Sequence, residues 1–546
     1  MSALGRLQTG STQSKEFGFY GFQGGLNVKA APQLVGDNDL TIALNVYLRP
    51  DGAVQLRNGM AKYGIAQAGT AATILARFYQ GVLNGAVVSP ETVKLLAQFN
   101  GTLYSVPSSG AWSSIGSIGG ANAQPMTWVR IQNPNDPNYV AGLTDCMVIC
   151  TGSGGPYVYD GTNLYVPAGW SVASGASWCA IVNGILWFGG IPAYPNQIFG
   201  SGDGIIASME TLPAYRNFVM SAPVTGLCGA GSGASATLII GLNTGISVLY
   251  GTGPSTFYLQ GIPFQDGVTS GRSMVSYEGN VYFLGHLGYY VFDGQTEPHI
   301  VSTKIEPWIL NDPFVPGYPM TQNWNLTWAQ VYNNRLLLGY CSNSATPNVI
   351  LCYDLTLQAW TVKVTAPGLA SMCLLDAPSD ANPYVALVGS ATTGQVYTWD
   401  YVPAATGTAV YDDVTPVLAN AQSKYFKIGV PGTTKALQRF YPEFLVAGAF
   451  IALFTVSTDY GNTLTQQLAA NSYATSLLVW DSGDWDVNYW AAGGTGQPVS
   501  LGPPVTRLDY PGLQAESYAF GVSMNQALPS WIWSGGSGVF NQQGRP

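Results

Sequence analysis

Apolar positions along this chain recur with a period of two rather than 3.6. Short runs of aromatic and branched residues are cut by Asn and Gly, so the pattern predicts strands joined by tight turns and almost no helix. From about residue 70 to about residue 400 one device repeats: strand, Asn/Gly turn, strand. Leu95 to Val106 turns at Asn100-Gly101, Ala180 to Phe188 at Asn183-Gly184, Tyr277 to Leu284 at Glu278-Gly279-Asn280, and Val331 to Leu338 at Asn333-Asn334. Asn-Gly suits a type I′ hairpin because both central residues take positive φ. A second phrase ends an aromatic strand at an Asp: Tyr157 to Asp160, Tyr290 to Asp293, Leu351 to Asp354 and Val396 to Asp400. Such a strand is expected on the outer part of a propeller blade, where blades pack through large side chains. The turn spacing fits one or two units of roughly 40 to 50 residues, so the region divides into about seven four-stranded blades, with six and eight allowed. A stack of unrelated β-sandwiches is the alternative.

The ends are punctuated differently. Residues 1–65 form an N-terminal arm and hairpin segment, 66–402 the all-β propeller, and 403–546 a β-sandwich or platform region with a flexible tail. Within the last, the apolar run Phe444 to Val456 is too short for the roughly 20 residues that span a bilayer as a helix, and predicts a pair of core strands. The segment Val479 to Gly496 concentrates Trp480, Asp481, Asp484, Trp485, Asp486 and Trp490, while Ser534 to Pro546 is a Gly/Ser/Gln tail expected to be flexible or docked on a neighbour.

Composition narrows the partners. Only 9% of the 546 residues are charged, 47% are hydrophobic, and 67 are Gly, with 15 Trp, 32 Tyr and 20 Phe. So much ring surface excludes a disordered chain. With 20 Lys+Arg against 29 Asp+Glu the net charge is -9, and the densest basic grouping is the loose set Lys424, Lys427, Lys435 and Arg439. Tight nucleic-acid binding needs several cations on phosphates, and is disfavoured. Met1 to Gly18 lacks the apolar core of a signal peptide, and the seven scattered cysteines, with no CxxC, read as reduced core thiols of a cytoplasmically folded chain.

Chemistry finds few anchors. His286 and His299 are the two histidines, without HExxH, and no second ligand pair follows Cys146 and Cys150. His286 reads as a solvated or packed turn residue. GxSxG, GxxxxGK and GxGxxG are absent. No residue is therefore assigned to catalysis, a cofactor or a metal. Ser457 to Leu464 resembles the Asp-box of sialidase-type propellers, with Leu464 in place of Trp, and is expected to cap its own hairpin rather than catalyse. The Trp/Asp segment around Trp485 leaves a glycan-binding or glycan-cleaving propeller as the alternative function.

The most specific pattern lies in residues 22–59: Gly24-Gly25-Leu26-Asn27, then Leu44-Asn45-Val46, then Pro50-Asp51-Gly52-Ala53, then Arg57-Asn58-Gly59. Pro50 presets one turn torsion and Gly52 supplies positive φ, so Leu44 to Arg49 folds back on Ala53 to Arg57, with Asn45 tethering the loop. This order of motifs resembles the start of the tail nozzle proteins, or tail tubular protein B, of short-tailed bacteriophages. Pro often stands in that family where this chain has Asn58. The propeller-like middle and a later segment, where Gly429-Val430-Pro431-Gly432 precedes Phe440 to Asp459, are similar to the family's layout.

The resemblance implies a structural, non-enzymatic virion protein. It implies a ring, six copies in the family, docked beneath portal and adaptor, that extends the ejection channel, retains the genome and offers surfaces to fibres or spikes. Genomic DNA would pass without specific binding, with no stable membrane insertion, and the ring would assemble in the host cytoplasm. The acidic, Lys/Arg-poor composition suits a conduit that must not hold its cargo.

Overall fold

A computed structural model describes residues 14–542, apart from 84–85, 120–125, 132–144, 203–210, 232–235, 254, 322, 377–383, 404–407, 429–433, 447–449, 460, 462, 471–507 and 525. The chain divides into two compact units, residues 60–401 and, from both ends of the chain, residues up to 59 with those from 402 onward.

The first unit is a β-propeller. Its inner strands are Ile74–Leu83, Thr127–Ile131, Trp178–Val182, Val224–Ala230, Val275–Tyr277, Trp328–Tyr332 and Leu369–Asp376. They neighbour one another in that order, and the last lies beside the first, so seven blades close a ring. Each inner strand leads an antiparallel sheet of four. The seventh blade takes only three strands from residues 369–401, and its outer strand is Gly59–Gln67 from the other end of the unit. The expected boundary at residue 65 therefore falls inside a propeller strand, because ring closure recruits the segment that local pattern assigned to the arm.

All four marked hairpins turn as the torsions require. Asn100-Gly101, Asn183-Gly184, Glu278-Gly279 and Asn333-Asn334 each hold two successive positive φ values. Asn280 pairs with Tyr277, so that loop has two residues and Asn280 belongs to the strand. Three of the turns join first to second strands, whereas Asn100-Gly101 joins second to third. The Asp-terminated strands are third strands, one position inside the blade edge where they were expected. Their rings pack on the preceding blade, Tyr159 on Phe78 at 5.0 Å and Tyr290 and Phe292 among Ile239, Ile246 and Val248. The Asp of the first caps its turn: Asp160 Oδ1 accepts from the Thr162 and Asn163 N–H groups at 2.8 and 2.6 Å. Asp293 does the same with Gln295 and Thr296, both at 2.8 Å. Burial raises the Asp293 carboxyl, but these bonds outweigh it and hold the group below its ordinary value.

Between blades the core is continuous. Trp170, Phe188 and Ile191 pack with Cys146, Cys150 and Cys179 between the second and third blades. Trp187, Ile198, Leu238 and Ile240 fill the next interface. Trp328 Nε1 donates to Leu369 O at 2.8 Å, tying sixth blade to seventh.

The second unit is built from two sheets. One runs Val46–Leu48, Val54–Leu56, Trp531–Gln542, Lys435–Val446, Leu508–Ala515, with Ser14–Tyr20 also on Trp531–Gln542. The other includes Asp39–Leu44, Asn420–Ser423, Ser517–Ser523, Phe450–Thr458 and Thr463–Ala470 in order. An aromatic layer joins them: Phe440 stacks on Phe520 at 4.4 Å and on Phe454 at 5.1 Å, and Phe19 lies 5.2 Å from Phe520. The run Phe444 to Val456 does supply two strands, one to each sheet. The expected flexible tail is corrected: Trp531–Gln542 is a central strand, because its Gly/Ser stretch lets Ser14–Tyr20 and Lys435–Val446 pair on both sides. The N-terminal arm is likewise part of this unit rather than a segment apart, since its strands complete both sheets.

Candidate functional site

The residues of the N-terminal motif converge in the two-sheet unit. Gly24 donates its N–H to Asn38 O at 3.0 Å, and a Cβ there would lie 2.0 Å from Asp39 Oδ1. Gly25 holds φ +66 and, with buried Leu26, pairs in parallel with Asp39 and Leu40. Asn27 Nδ2 donates to Asp39 Oδ2 at 2.8 Å, while its Oδ1 accepts the Lys29 N–H at 3.2 Å. GGLN is thus a parallel clasp: glycines allow contact with the 38–39 backbone, and Asn27 and the Gly36 N–H, at 3.1 Å, satisfy the buried Asp39 carboxylate.

The second half closes around Arg57. Asn45 sits at φ +55 and sends Nδ2 to Leu418 O at 2.6 Å, while its Oδ1 accepts Arg57 Nε at 2.9 Å. Asn45 therefore joins the base of the Pro50 hairpin, through Arg57, to Leu418. Arg57 is 1% exposed and forks onto Asp412, with Nη1 2.8 Å from Oδ1 and Nη2 bonded to Oδ2, and Nη1 also reaches Asn58 O at 2.9 Å. A bidentate guanidinium–carboxylate pair fixes both distance and plane.

The Pro50-Asp51-Gly52 loop folds as the turn chemistry predicts. Val46–Leu48 pairs with Val54–Leu56, Gly52 holds φ +90, and Asp51 Oδ1 accepts the Ala53 N–H at 3.1 Å. Arg49 Nε adds a bond to Asp51 at 3.0 Å. Partial burial pushes Asp51 up, but the Ala53 N–H and Arg49 together hold its carboxyl below the ordinary value. Phe22 N–H donates to Gly52 O at 2.6 Å, so the loop docks on the start of the motif.

Gly59 ends the motif where only hydrogen fits. A Cβ would stand 2.0 Å from Tyr411 O and 2.8 Å from its carbonyl carbon. Gly59→Ala is expected to cost about 1–3 kcal/mol, because backbone must move to admit the methyl group. Gly261→Ala, where a Cβ meets nothing within 4 Å, is the control and should stay within about 0.5 kcal/mol. Urea midpoints of the two variants check this, and equal midpoints would refute the contact.

These ten residues, Gly24, Gly25, Leu26, Asn27, Asn45, Pro50, Asp51, Gly52, Arg57 and Gly59, act on one another and on the chain around them. Two partners were not legible, Asp39 and Asp412. Asp412 lies 355 residues from Arg57, in the two-residue strand Tyr411–Asp412, which has no local signature.

Other candidates scatter. His286 Nδ1 lies 3.0 Å from Asp266 Oδ1, and Asp266 also accepts the His286 and Leu287 N–H groups, so this is a packed turn. His299 sits on the outer strand of the fifth blade. Cys146 and Cys150 are buried on one strand, and no disulfide joins any of the seven cysteines. Among the described residues no group of three or more His, Cys, Asp or Glu could hold a metal ion. No described helix is long and apolar enough to cross a membrane. Among the described residues Asp459 Oδ1 accepts the Glu516 N–H at 3.3 Å, on a neighbouring strand connection, while Tyr460 and Asn462 of the Asp-box-like hairpin lie outside the described residues. Lys424 and Arg439 of the basic grouping face Asp37 and Asp509 at 2.5 and 3.5 Å. The Trp480 to Trp490 segment and the Gly429 to Gly432 turn lie outside the described residues.

An opening lies on the propeller axis. A cavity of about 810 Å³ is lined from all seven inner strands, with Arg77, Trp128, Trp178, Arg272 and Gln330 among its walls. Sequence reading missed it, since one residue per distant strand leaves no motif.

No family model and no curated protein matches the chain. Among solved structures, it is similar to BBS1N in complex with ARL6DN, at 8% identity and TM-score 0.35, covering 63% of this chain and 98% of that one. It is similar to the extracellular domain of the putative hybrid two component system BT4673 from B. thetaiotaomicron, at 10% identity and TM-score 0.40, covering 79% of this chain and 58% of that one. The Neurospora crassa Pan2 WD40 domain follows at 9% identity and TM-score 0.32, covering 64% and 97%. Likeness at this level speaks to fold alone, and the propeller stands on its own strand order.

Proposed function

We propose that this chain is a structural subunit of a short-tailed phage tail, forming the nozzle ring that extends the DNA-ejection channel below portal and adaptor. The observation that carries the reading is the N-terminal motif: residues that resemble the nozzle family's opening in their order also bond into one scaffold, so the resemblance rests on positions with a physical job. Charge supports it, because a chain at -9 with 9% charged residues offers DNA little to hold. Exposed apolar side chains support an assembly of copies. Val219, Tyr258 and Ile300 stand on the outer strands of three successive blades, at 61%, 61% and 42% exposure. Such a row is suited to burial against another subunit, with fibres or spikes and the adaptor as the further partners.

Light scattering coupled to size exclusion tests the reading. The expected result is a closed ring, six copies by family resemblance, seen end-on with a central hole in negative stain. Val219→Lys combined with Tyr258→Lys should reduce the ring to smaller species. A monomer at all concentrations, absent from purified virions, would sink the proposal.

A further inference from the structure

The axial cavity holds a half-buried cation that no carboxylate neutralises among the described residues. Arg272 lies in the short turn Gly271–Ser273 between the fourth and fifth blades and lines the cavity. Its recorded partner is a backbone carbonyl, Ala370 O, 2.6 Å from Nη2. No carboxylate pairs with it among the described residues, and the cavity's lining contains two charged side chains, Arg77 and Arg272, both cationic, in a chain of net charge -9. Burial alone draws the guanidinium down to about 10, which still leaves it charged at neutral pH. A cation partly withdrawn from water with no carboxylate beside it is stabilised by an anionic ligand.

The turn that carries Arg272 is rigid. Ser273 Oγ donates to Ser270 O at 2.6 Å and accepts the Leu284 N–H at 3.0 Å, while Tyr289 Oη donates to Ser273 O at 3.1 Å. Ser270 Oγ reaches across to Thr327 O at 2.8 Å. Gly271 is pressed on the fourth blade so closely that a Cβ would lie 2.6 Å from Thr225 O. With its turn fixed and Nη2 anchored on Ala370 O, the Arg272 guanidinium is partly ordered before any ligand arrives, which lowers the entropic cost of binding.

The rest of the wall describes the body of the ligand. Trp128, Trp178 and Tyr277 contribute aromatic rings, and Ser276 and Gln330 neutral hydrogen-bonding side chains. A volume of about 810 Å³ lies within the range of small-molecule sites. The guanidinium fork matches a planar carboxylate bidentately, and ring faces suit a flat or cyclic body. We propose that the propeller's axial cavity binds a small organic carboxylate with a ring body, its carboxylate held by Arg272.

Calorimetry and tryptophan fluorescence on the full chain test this with defined probes. Sodium glucuronate and sodium benzoate are the two carboxylates; glucose and benzyl alcohol are their neutral counterparts, and inorganic phosphate is the competing anion. At least one carboxylate should bind at one site per chain, with its neutral counterpart and phosphate each weaker by about tenfold or more. Arg272→Gln should weaken that carboxylate by at least about tenfold, and Arg272→Lys, which keeps the charge without the fork, should erase the preference over phosphate. Absence of binding by both carboxylates at about 10 mM, phosphate binding as tightly as either, or affinity unchanged in a folded Arg272→Gln protein would each overturn the proposal.

Discussion

Replacing Arg57 by alanine is expected to destabilise the two-sheet unit by about 3–5 kcal/mol, the range for breaking a buried ion pair from one side. The side chain is fully enclosed, and its removal strands the Asp412 carboxylate, itself 3% exposed, without its fork. It also strips Asn45 Oδ1 and Asn58 O of a donor. The loss is therefore dominated by uncompensated polar groups rather than by the net worth of the pair. Asp412→Ala alone should be comparably harmful, and the double variant should cost much less than the two added together. Urea unfolding, with hydrogen exchange on Val54–Leu56 to report this unit, measures all three. A loss below about 1 kcal/mol for Arg57→Ala would mean that the pair is solvated in the native protein.

Phe440→Ala should cost about 3–5 kcal/mol by a different route, the cavity left by a large side chain. Phe440 is 0% exposed and contacts rings from both sheets and from the N-terminal strand: Phe520 at 4.4 Å, Phe454 at 5.1 Å and Phe19 at 5.9 Å. Three neighbours from separate strands cannot all shift into the space. Phe440→Leu keeps most of the volume and should lose markedly less. Tyr258→Ala, at a side chain 61% exposed in the propeller, is the control and should leave stability within about 0.5 kcal/mol. Equal midpoints for Phe440→Ala and Phe440→Leu would show that the aromatic layer collapses on truncation.

Local chemistry made the propeller legible. Asn183-Gly184 and Asn333-Asn334 announce positive φ twice in succession, and a two-residue turn of that kind fixes the register of the strands on either side. The Pro50-Asp51-Gly52 turn was legible for the same reason. Long-range partnership was not. Gly59–Gln67 looks like the end of an arm until its neighbour Gly394–Tyr401 is known, and no window of sequence contains both. The strand Trp531–Gln542 was concealed by its own composition, since Ser-Gly-Gly-Ser-Gly reads as linker and gains order only between two flanking strands. Arg57 was recognisable as part of a pattern, but its role depends on Asp412, far along the chain. Arg272 carried no signal, because an arginine in a Gly/Ser turn is commonplace on a surface and unusual only once the ring encloses it.

The propeller closes with a strand from before its first blade, and the two-sheet unit is assembled from both ends of the chain. During synthesis, the propeller can complete its ring once residues through about 401 have left the ribosome. In the other unit Ser14–Tyr20 must wait unpaired until Trp531–Gln542 arrives, since it pairs with that strand. A nascent chain arrested between those points would carry a finished propeller and an exposed, aromatic N-terminal edge. Arrival of Trp531–Gln542 is then the event that covers this edge and completes the two-sheet unit.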